Sequence, residues 1–284
     1  EFWAKDVPPF QTAEGAYGGK LYDLSGRFNI NSLRPDAAAP ADKRAHASAE
    51  DKSSSKLLTV NEARFARLLM SLSDDDQSGG EGEFVVLPEQ AIAITMALID
   101  WLDADSEPSG FDGAEDDFYA EIQGRPAYRP ANRPMVSPSE LLLVAHMTPE
   151  IYKRLLPHVT VWPIPTGAAT GAGSGSGINI NTATENVLRS LNVVDLNAEP
   201  LPATREEVAL ILQAQQLKGG YPDGGLDGIF AGKKILGTEN LKTSSDFFLL
   251  DGHVTIGDVA THMQSVISRE GGKFRVLARS MGGL

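Results

Sequence analysis

The hydrophobic pattern of this chain changes twice, from alternation to helical spacing and back, and this limits the folds that it can adopt. Residues 20–24 and 27–31 alternate on either side of the turn signal Ser25-Gly26, which predicts a β-hairpin. Alternation returns after Ser244 and continues to about residue 278. Between these ends, apolar residues recur at the spacing of amphipathic helices.

Several helix boundaries are marked in the central stretch. Asn61 is a predicted N-cap ahead of an apolar face, and Pro88 opens a broadly apolar helix that ends near Leu102. A helix that is apolar on most sides belongs inside a core, so we expect this second helix to be central. Further helices are predicted at about residues 115–123, 139–145, 149–156, 182–191 and 204–219.

The order of strands, helices and strands predicts an α+β fold, in which a large all-α domain is inserted into a small antiparallel sheet. A two-stranded hairpin is too small to be stable alone, so we expect the first strands to pair with the C-terminal ones. The predicted sheet part comprises residues 1–59 and 243–284, and the predicted helical domain spans residues 60–242. Residues 178–217 of that domain contain an element that is similar to a helix-hairpin-helix.

The net charge and the residue types exclude several classes of function. The 284 residues carry a formal charge of −13, which repels phosphate backbones and disfavours nucleic acid as a partner. The lack of cysteine excludes disulfides, thiolate catalysis and Cys-ligated metal sites. The five histidines show no metal-ligand spacing, and the sequence has no nucleophile elbow or phosphate-binding loop. No enzyme is therefore predicted.

The window of residues 100–117 is rich in carboxylates and contains no Lys or Arg. Two carboxylates that converge at about 4 Å repel by roughly 4 kcal/mol at an effective dielectric constant near 20, so they point into solvent or share a cation. Oxygen ligands on a flexible loop favour Ca²⁺ over zinc or copper. An EF-hand is excluded, because the sixth and twelfth positions counted from Asp103 are Pro108 and Ala114. A solvated acidic loop is the alternative interpretation.

The predicted metal ligands are the carboxylates that a turn can bring back to the end of the apolar helix. Two of them follow this helix directly, and two follow Gly113, where the chain can reverse. The predicted ion is Ca²⁺, with a structural and not a catalytic role. The first-choice ligands are Asp103, Asp105, Glu115 and Asp116, and the second choices are Asp100 and Asp112.

Two other classes of function compete with a structural one. A calcium-stabilised periplasmic hydrolase would need a nucleophile or an acid pair in a pocket, and no motif marks either. Residues 178–183 resemble the opening of a helix-hairpin-helix nucleic-acid binder, but the continuation at residues 191–195 has no Gly and adds Asp195. We therefore favour a packing module that does not bind phosphate.

Seven short stretches, spread over most of the chain, carry a family resemblance. They are Gly26-Arg27-Phe28-Asn29-Ile30-Asn31-Ser32-Leu33, Leu98-Ile99-Asp100-Trp101-Leu102-Asp103, Tyr128-Arg129-Pro130-Ala131-Asn132 with Ser139-Glu140-Leu141, Met147-Thr148-Pro149-Glu150-Ile151-Tyr152, Val159-Thr160-Val161-Trp162-Pro163, and Ile178-Asn179-Ile180-Asn181-Thr182-Ala183. In this order they resemble the GspK-type minor pseudopilins of the bacterial type II secretion system (general secretion pathway protein K, XcpX-like).

The resemblance implies a pilin-like α+β fold anchored by an apolar N-terminal helix. That transmembrane helix would lie upstream of Glu1 and is absent from this chain, so the expected location is the periplasmic face of the bacterial inner membrane. The implied function is that of a minor pseudopilin at the tip of the secretion pseudopilus. It would help to initiate and cap assembly, and so support export of folded proteins across the outer membrane.

The partners implied by the resemblance are proteins. The I-, J- and H-type minor pseudopilins form the tip complex, and the secretin and secreted substrates are further implied contacts. The membrane is reached only through the missing N-terminal helix, and nucleic acid is not an implied partner. Family members bind calcium in the helical domain, so the resemblance favours Ca²⁺ in the acidic window without identifying the coordinating oxygens.

Overall fold

A five-stranded sheet and six α-helices dominate the part of the chain that the computed structural model describes, which is residues 9–35, 58–73, 84–121, 126–165, 177–191, 201–216 and 241–281. The helices are α1 (Val60–Met70), α2 (Pro88–Leu102), α3 (Asp116–Ala120), α4 (Pro149–Leu155), α5 (Glu185–Ser190) and α6 (Arg205–Gln216). The strands are β1 (Phe10–Gln11), β2 (Gly15–Asp23), β3 (Phe28–Asn29), β4 (Val159–Thr160), β5 (Ile178–Asn179), β6 (Leu241–Lys242), β7 (Phe247–Ile256), β8 (Val259–Glu270) and β9 (Lys273–Ser280). Within these ranges, no helix combines the length and the apolar character that are needed to cross a membrane.

Strands from both ends of the chain form one antiparallel sheet in the order β1-β2-β7-β8-β9. β2 pairs with β7 along its whole length, with Gly15 opposite Ile256 and Asp23 opposite Phe248. β7, β8 and β9 follow one another as a meander of antiparallel strands. The prediction that the first strand pairs with the C-terminal strands is confirmed.

The predicted hairpin between residues 20–24 and 27–31 is wrong. β2 pairs with β7, whereas β3 pairs in parallel with β4, with Phe28 opposite Val159. Burial decides this outcome, because Phe28 and Ile30 belong to the main hydrophobic core. A hairpin with β2 would remove these side chains from that core and expose apolar surface to water.

The two central helices begin at local sequence signals. Thr59 is the N-cap of α1 and forms a capping box with Glu62, so the prediction of Asn61 as the N-cap is wrong by two residues. α2 has the predicted start and end, with a proline in its first turn. Leu98 in this helix is fully buried, which confirms that α2 is central to the core.

The stretch between β2 and β7 is mainly helical, but it is not all-α as expected. It contains the parallel pairs β3–β4 and β5–β6, because buried main-chain groups in these segments need hydrogen-bond partners. The predicted helix at residues 139–145 is a 3₁₀ helix at Pro138–Leu143. The predicted domain boundaries near residues 60 and 242 stay a prediction.

The main hydrophobic core lies in the helical stretch. Its buried residues run from Phe28 to Leu241 and include the inner faces of α1 and α2. The sheet contributes Phe248 and Val266, which are buried outside that cluster. The sheet and the helical stretch therefore share little apolar surface, and polar contacts must fix their junction.

Asp23, the last residue of β2, lies at this junction. Its carboxylate accepts hydrogen bonds from four donors, which lie in three segments of the chain. They are the hydroxyls of Thr182 and Ser245, the side-chain amide of Asn179 and the backbone N–H of Ser25, the last at 2.7 Å. The packing is close, because a Cβ on Gly26 would lie 2.6 Å from Thr182 Oγ1.

We expect Asp23→Ala to lower the free energy of unfolding by about 2–4 kcal/mol, since hydrogen bonds to a charged group are strong and their donors would be left unpaired. Urea denaturation at neutral pH measures this change. Glu206→Ala, which removes an exposed carboxylate from α6, is the matched control and should stay within about 0.5 kcal/mol of wild type. Equal stabilities for the two variants would contradict the role of Asp23.

His158 is a partly buried histidine that joins α4 to α5. Its Nδ1 lies 2.7 Å from Thr184 Oγ1, and its Nε2 lies 3.5 Å from Asn186 Nδ2. Burial, and secondarily the positive charge of Arg27, lower the pKa of His158 to about 4. The imidazole is therefore neutral in the folded protein at neutral pH, which fits a structural role for this residue.

We expect the contribution of His158 to the stability of the fold to be lost as the pH falls from about 6.5 to about 4. In this window the unfolded histidine, with a pKa of 6.5, binds a proton before the folded one does, so acid favours unfolding. The contribution of His158 is fully present above this window. Denaturation of wild type and of His158→Gln at pH 7 and at pH 5 tests this, because the free energy of unfolding of the variant, taken relative to wild type, should be higher at pH 5 than at pH 7. If exposed His146→Gln shows the same pH dependence relative to wild type, the assignment to His158 is wrong.

Candidate metal centre

Three carboxylates converge where α2 ends and α3 begins. Asp103 is the C-cap of α2, Asp105 lies in the following loop, and Glu115 is the N-cap of α3. One oxygen from each of these side chains lies within 4.8 Å of the others. The structure thus brings together three of the four first-choice ligands, which we call the carboxylate group.

Burial makes a negative charge on this group unfavourable. Glu115 is 5% exposed, and neither of its carboxyl oxygens has a hydrogen-bond partner among the described residues. Burial first, and then the negative charges of Asp100, Asp103, Asp105 and Asp116, raise the pKa of Glu115 to about 8. A bound cation would reverse both effects, because it favours the ionised carboxylate.

Asp100, a second-choice ligand, binds backbone amides of the loop that follows α2. Its side chain is fully buried and accepts hydrogen bonds from the amides of Ser109, at 2.9 and 3.2 Å, and of Ala114, at 2.7 Å. Gly113 is required beside it, since a Cβ there would lie 2.5 Å from Asp100 Oδ2. Asp100 therefore clamps both ends of the loop at residues 109–114.

The two remaining candidates lie outside the carboxylate group. Asp116 is in the first turn of α3, and its Oδ2 lies 3.5 Å from Arg129 Nη1 in a partly exposed ion pair. Asp112 is in the clamped loop and is partly exposed. Their assignment as ligands stays a prediction.

Asn132 is a residue of the centre that sequence reasoning missed. Its Nδ2 donates to the backbone carbonyl of Asp105 at 3.2 Å, while its Oδ1 is buried and has no hydrogen-bond partner among the described residues. Its backbone is left-handed, with φ of 47°, a conformation that Asn adopts more readily than most residues. The family resemblance offered a signal, because Asn132 ends the stretch Tyr128-Arg129-Pro130-Ala131-Asn132 that helps to carry it. The spacing of acidic residues could not reveal Asn132.

A layer of aromatic rings packs behind the carboxylate group. Trp101 and Tyr119 meet edge to face at 5.6 Å between ring centroids, and Tyr119 contacts Tyr128 at 5.1 Å. The Tyr119 hydroxyl accepts a hydrogen bond from the Ala145 amide at 3.1 Å, and burial raises its pKa. These contacts hold α3 against α2, so the carboxylates stand on a rigid support.

The chemistry of these donors fits calcium. Ca²⁺ takes six to eight oxygen ligands, including carboxylates that bind through both oxygens, amide oxygens and waters. Three carboxylates converge, and the buried amide oxygen of Asn132, whose Nδ2 donates to the Asp105 carbonyl, has no protein donor among the described residues. In the described part of the chain no imidazole or thiolate joins the carboxylate group, and these are the ligands that zinc favours.

Comparison with known proteins identifies the family. A family model described as type II secretion system (T2SS), protein K, matches residues 26–164, which contain the whole carboxylate group. Type II secretion system protein K of Pseudomonas aeruginosa is 31% identical over 287 residues, covering 99% of this chain and 70% of the relative. The chain belongs to the type II secretion system protein K family. The protein of the same name from Pectobacterium carotovorum is 28% identical and is matched over 74% of its length.

A solved structure supports the fold of this protein K family member. It is described as the crystal structure of the GspK-GspI-GspJ complex from the type 2 secretion system of enterotoxigenic Escherichia coli. The likeness has a TM-score of 0.68 and covers 99% of this chain and 85% of the other chain, at 22% identity. Together with the family model and the similar protein K sequences, this structure confirms the resemblance to GspK and the assignment as a minor pseudopilin of the type II secretion system.

The element that is similar to a helix-hairpin-helix lies only partly within the described residues. α5 and α6 form the two helices of that element, but residues 192–200 between them lie outside the described residues. Arg189 in α5 donates from Nε to the Ala203 carbonyl at 2.8 Å, so it serves the packing of the two helices. This contact agrees with a packing module.

Proposed function

We propose that this chain is a pseudopilus-tip subunit that helps to initiate and cap the type II secretion pseudopilus, and so supports export of folded proteins across the outer membrane. The observation that carries the proposal is the likeness of its fold, over 99% of the chain, to a protein K that was solved together with GspI and GspJ. A subunit of this kind needs one part that fits its neighbours and another that ends the polymer.

The fold supplies two such parts. The five-stranded sheet, built from both ends of the described chain, serves as the pilin-like part. The helical stretch between β2 and β7 serves as an inserted domain, with a hydrophobic core of its own. A pilin that carries so large an insertion could not be covered by a following subunit, so the insertion acts as a steric stop.

We propose the I- and J-type minor pseudopilins as direct partners, because the similar protein K was solved in complex with them. The H-type pseudopilin, the secretin and secreted substrates are further proposed contacts. The proposed location is the periplasmic face of the inner membrane. The formal charge of −13 supports partners with basic surfaces and does not favour nucleic acid.

We further propose that the carboxylate group holds one structural Ca²⁺. Asp103, Asp105 and Glu115 are the proposed ligands, and the unpartnered amide oxygen of Asn132 is a fourth. The ion would join the end of α2 to the start of α3 and neutralise charge that burial makes unfavourable. Its role would be to order the helical domain and not to catalyse a reaction.

We expect Ca²⁺ to raise the melting temperature of the metal-free protein. A ligand present at a hundredfold excess over its Kd stabilises the folded state by about 2.7 kcal/mol. Glu115→Gln should abolish this response, and its metal-free form should melt no lower than wild type, because Gln is uncharged like the protonated Glu115 that a pKa of about 8 gives the metal-free protein at neutral pH. Calorimetry with and without a chelator makes both measurements.

Asp117→Asn is the matched control, since Asp117 is an exposed neighbour that lies outside the carboxylate group. This variant should keep the full response to Ca²⁺. The same concentration of Mg²⁺ should stabilise the protein less, because Mg²⁺ demands a tighter octahedral site. A wild-type melting curve that does not change with Ca²⁺ would refute the proposed ion.

We expect the purified chain to be monomeric alone and to form a stable complex when the I- and J-type pseudopilins of the same organism are added. Size-exclusion chromatography with light scattering measures both states. The steric stop predicts that the chain does not polymerise, even at high concentration. Filaments formed by this chain alone would contradict a capping role, and failure to bind either pseudopilin would contradict the proposed partners.

A further inference from the structure

The two edges of the five-stranded sheet differ in length. β1, at one edge, has two residues, whereas β9, at the other edge, has eight. Among the described residues, no strand pairs with the outer side of β9. An edge strand of this length presents main-chain N–H and C=O groups to which another chain can add a strand.

The side chains of β9 are apolar and basic. Phe274 is 70% exposed and Val276 is 44% exposed, which is unusual surface for a chain of this charge. Lys273, Arg275 and Arg279 lie on the same strand, and residues 273–281 contain no carboxylate. An otherwise acidic protein thus carries a local basic strand at the open edge of its sheet.

The charges on β9 act against pairing with a second copy of this chain. An antiparallel pair of β9 strands centred on Phe274 would place Lys273 of one copy opposite Arg275 of the other, and a pair centred on Arg275 would place the two Arg275 residues opposite each other. Like charges that face each other across strands are destabilising. An acidic strand in the same position would place opposite charges together, so the edge selects a different partner.

The pairing of β9 also defines where a partner strand fits. Val276 lies opposite Ile267 and Ala278 opposite Val266, so Leu277 is an extra residue in a β-bulge. Bulges bend a strand and interrupt regular pairing. The regular part of the edge is therefore residues 273–276, which contain two of the three cations.

We propose that an acidic extended segment of the neighbouring I- or J-type pseudopilin pairs with β9 and adds a sixth strand to the sheet. Main-chain hydrogen bonds would supply much of the affinity, and the cations of β9 would select the acidic partner. This inference rests on the proposed function, since it assumes that these pseudopilins bind the chain. The inference places the contact with the neighbouring pseudopilin at β9.

Hydrogen exchange on the whole chain, alone and with the I- and J-type pseudopilins, tests the proposal without changing the sequence. Amides of β9 that point away from β8 should exchange at least roughly tenfold more slowly in the complex, because new hydrogen bonds protect them. The β7–β8 turn at residues 257–258 should not change and is the internal control. Binding without protection of β9 would overturn the added strand.

A charge reversal gives a second measurement. Arg275→Glu should weaken binding of the two pseudopilins by about tenfold, with the largest effect at low salt. Lys153→Glu, an exposed change of the same charge on α4, should leave the affinity near wild type. Equal effects of the two variants would overturn the role of β9. If wild type itself binds neither pseudopilin, the proposed partners fail and the inference fails with them.

Discussion

The structure depends on the carboxylate of Asp23, because little apolar surface connects the sheet to the helical core. This side chain ends β2 and accepts hydrogen bonds from Ser25, Asn179, Thr182 and Ser245. Hydrogen bonds to an ionised acceptor are directional and about twice as strong as neutral ones. A single charged group can therefore fix the position of a sheet whose own buried apolar residues are few.

The carboxylates of the acidic window, residues 100–117, take different structural roles. Asp100 is satisfied by backbone amides and holds the loop closed, whereas Asp103, Asp105 and Glu115 converge on a common point. The difference lies in which donors reach each carboxylate. Where amides reach it, burial is tolerated; where none do, as at Glu115, a shared cation is the remaining means of stabilising the charge.

Two parts of the molecule differ in local charge. The helical stretch carries a window of carboxylates without Lys or Arg, residues 100–117, while β9 at the open edge of the sheet carries three cations without a carboxylate. Each of these surfaces directs the approach of partners of the complementary charge. The window therefore attracts cations or basic surfaces, and β9 attracts acidic ones.

The sequence by itself determined the helices and the family. Capping residues, a first-turn proline and apolar spacing act within one or two turns, so α1 and α2 could be located to within a few residues, and the acidic window could be recognised. Three of the four first-choice ligands do converge.

What the sequence could not supply was the choice of long-range partners. β3 pairs with β4, and Asn31 donates to carbonyls 104 and 130 residues away, because burying Phe28 and Ile30 outweighs the local hairpin. Asn132 contacts the Asp105 main chain and Asp100 holds the loop closed for the same reason: main-chain groups brought near by the tertiary fold decide which side-chain oxygens have a hydrogen-bond donor and which have none.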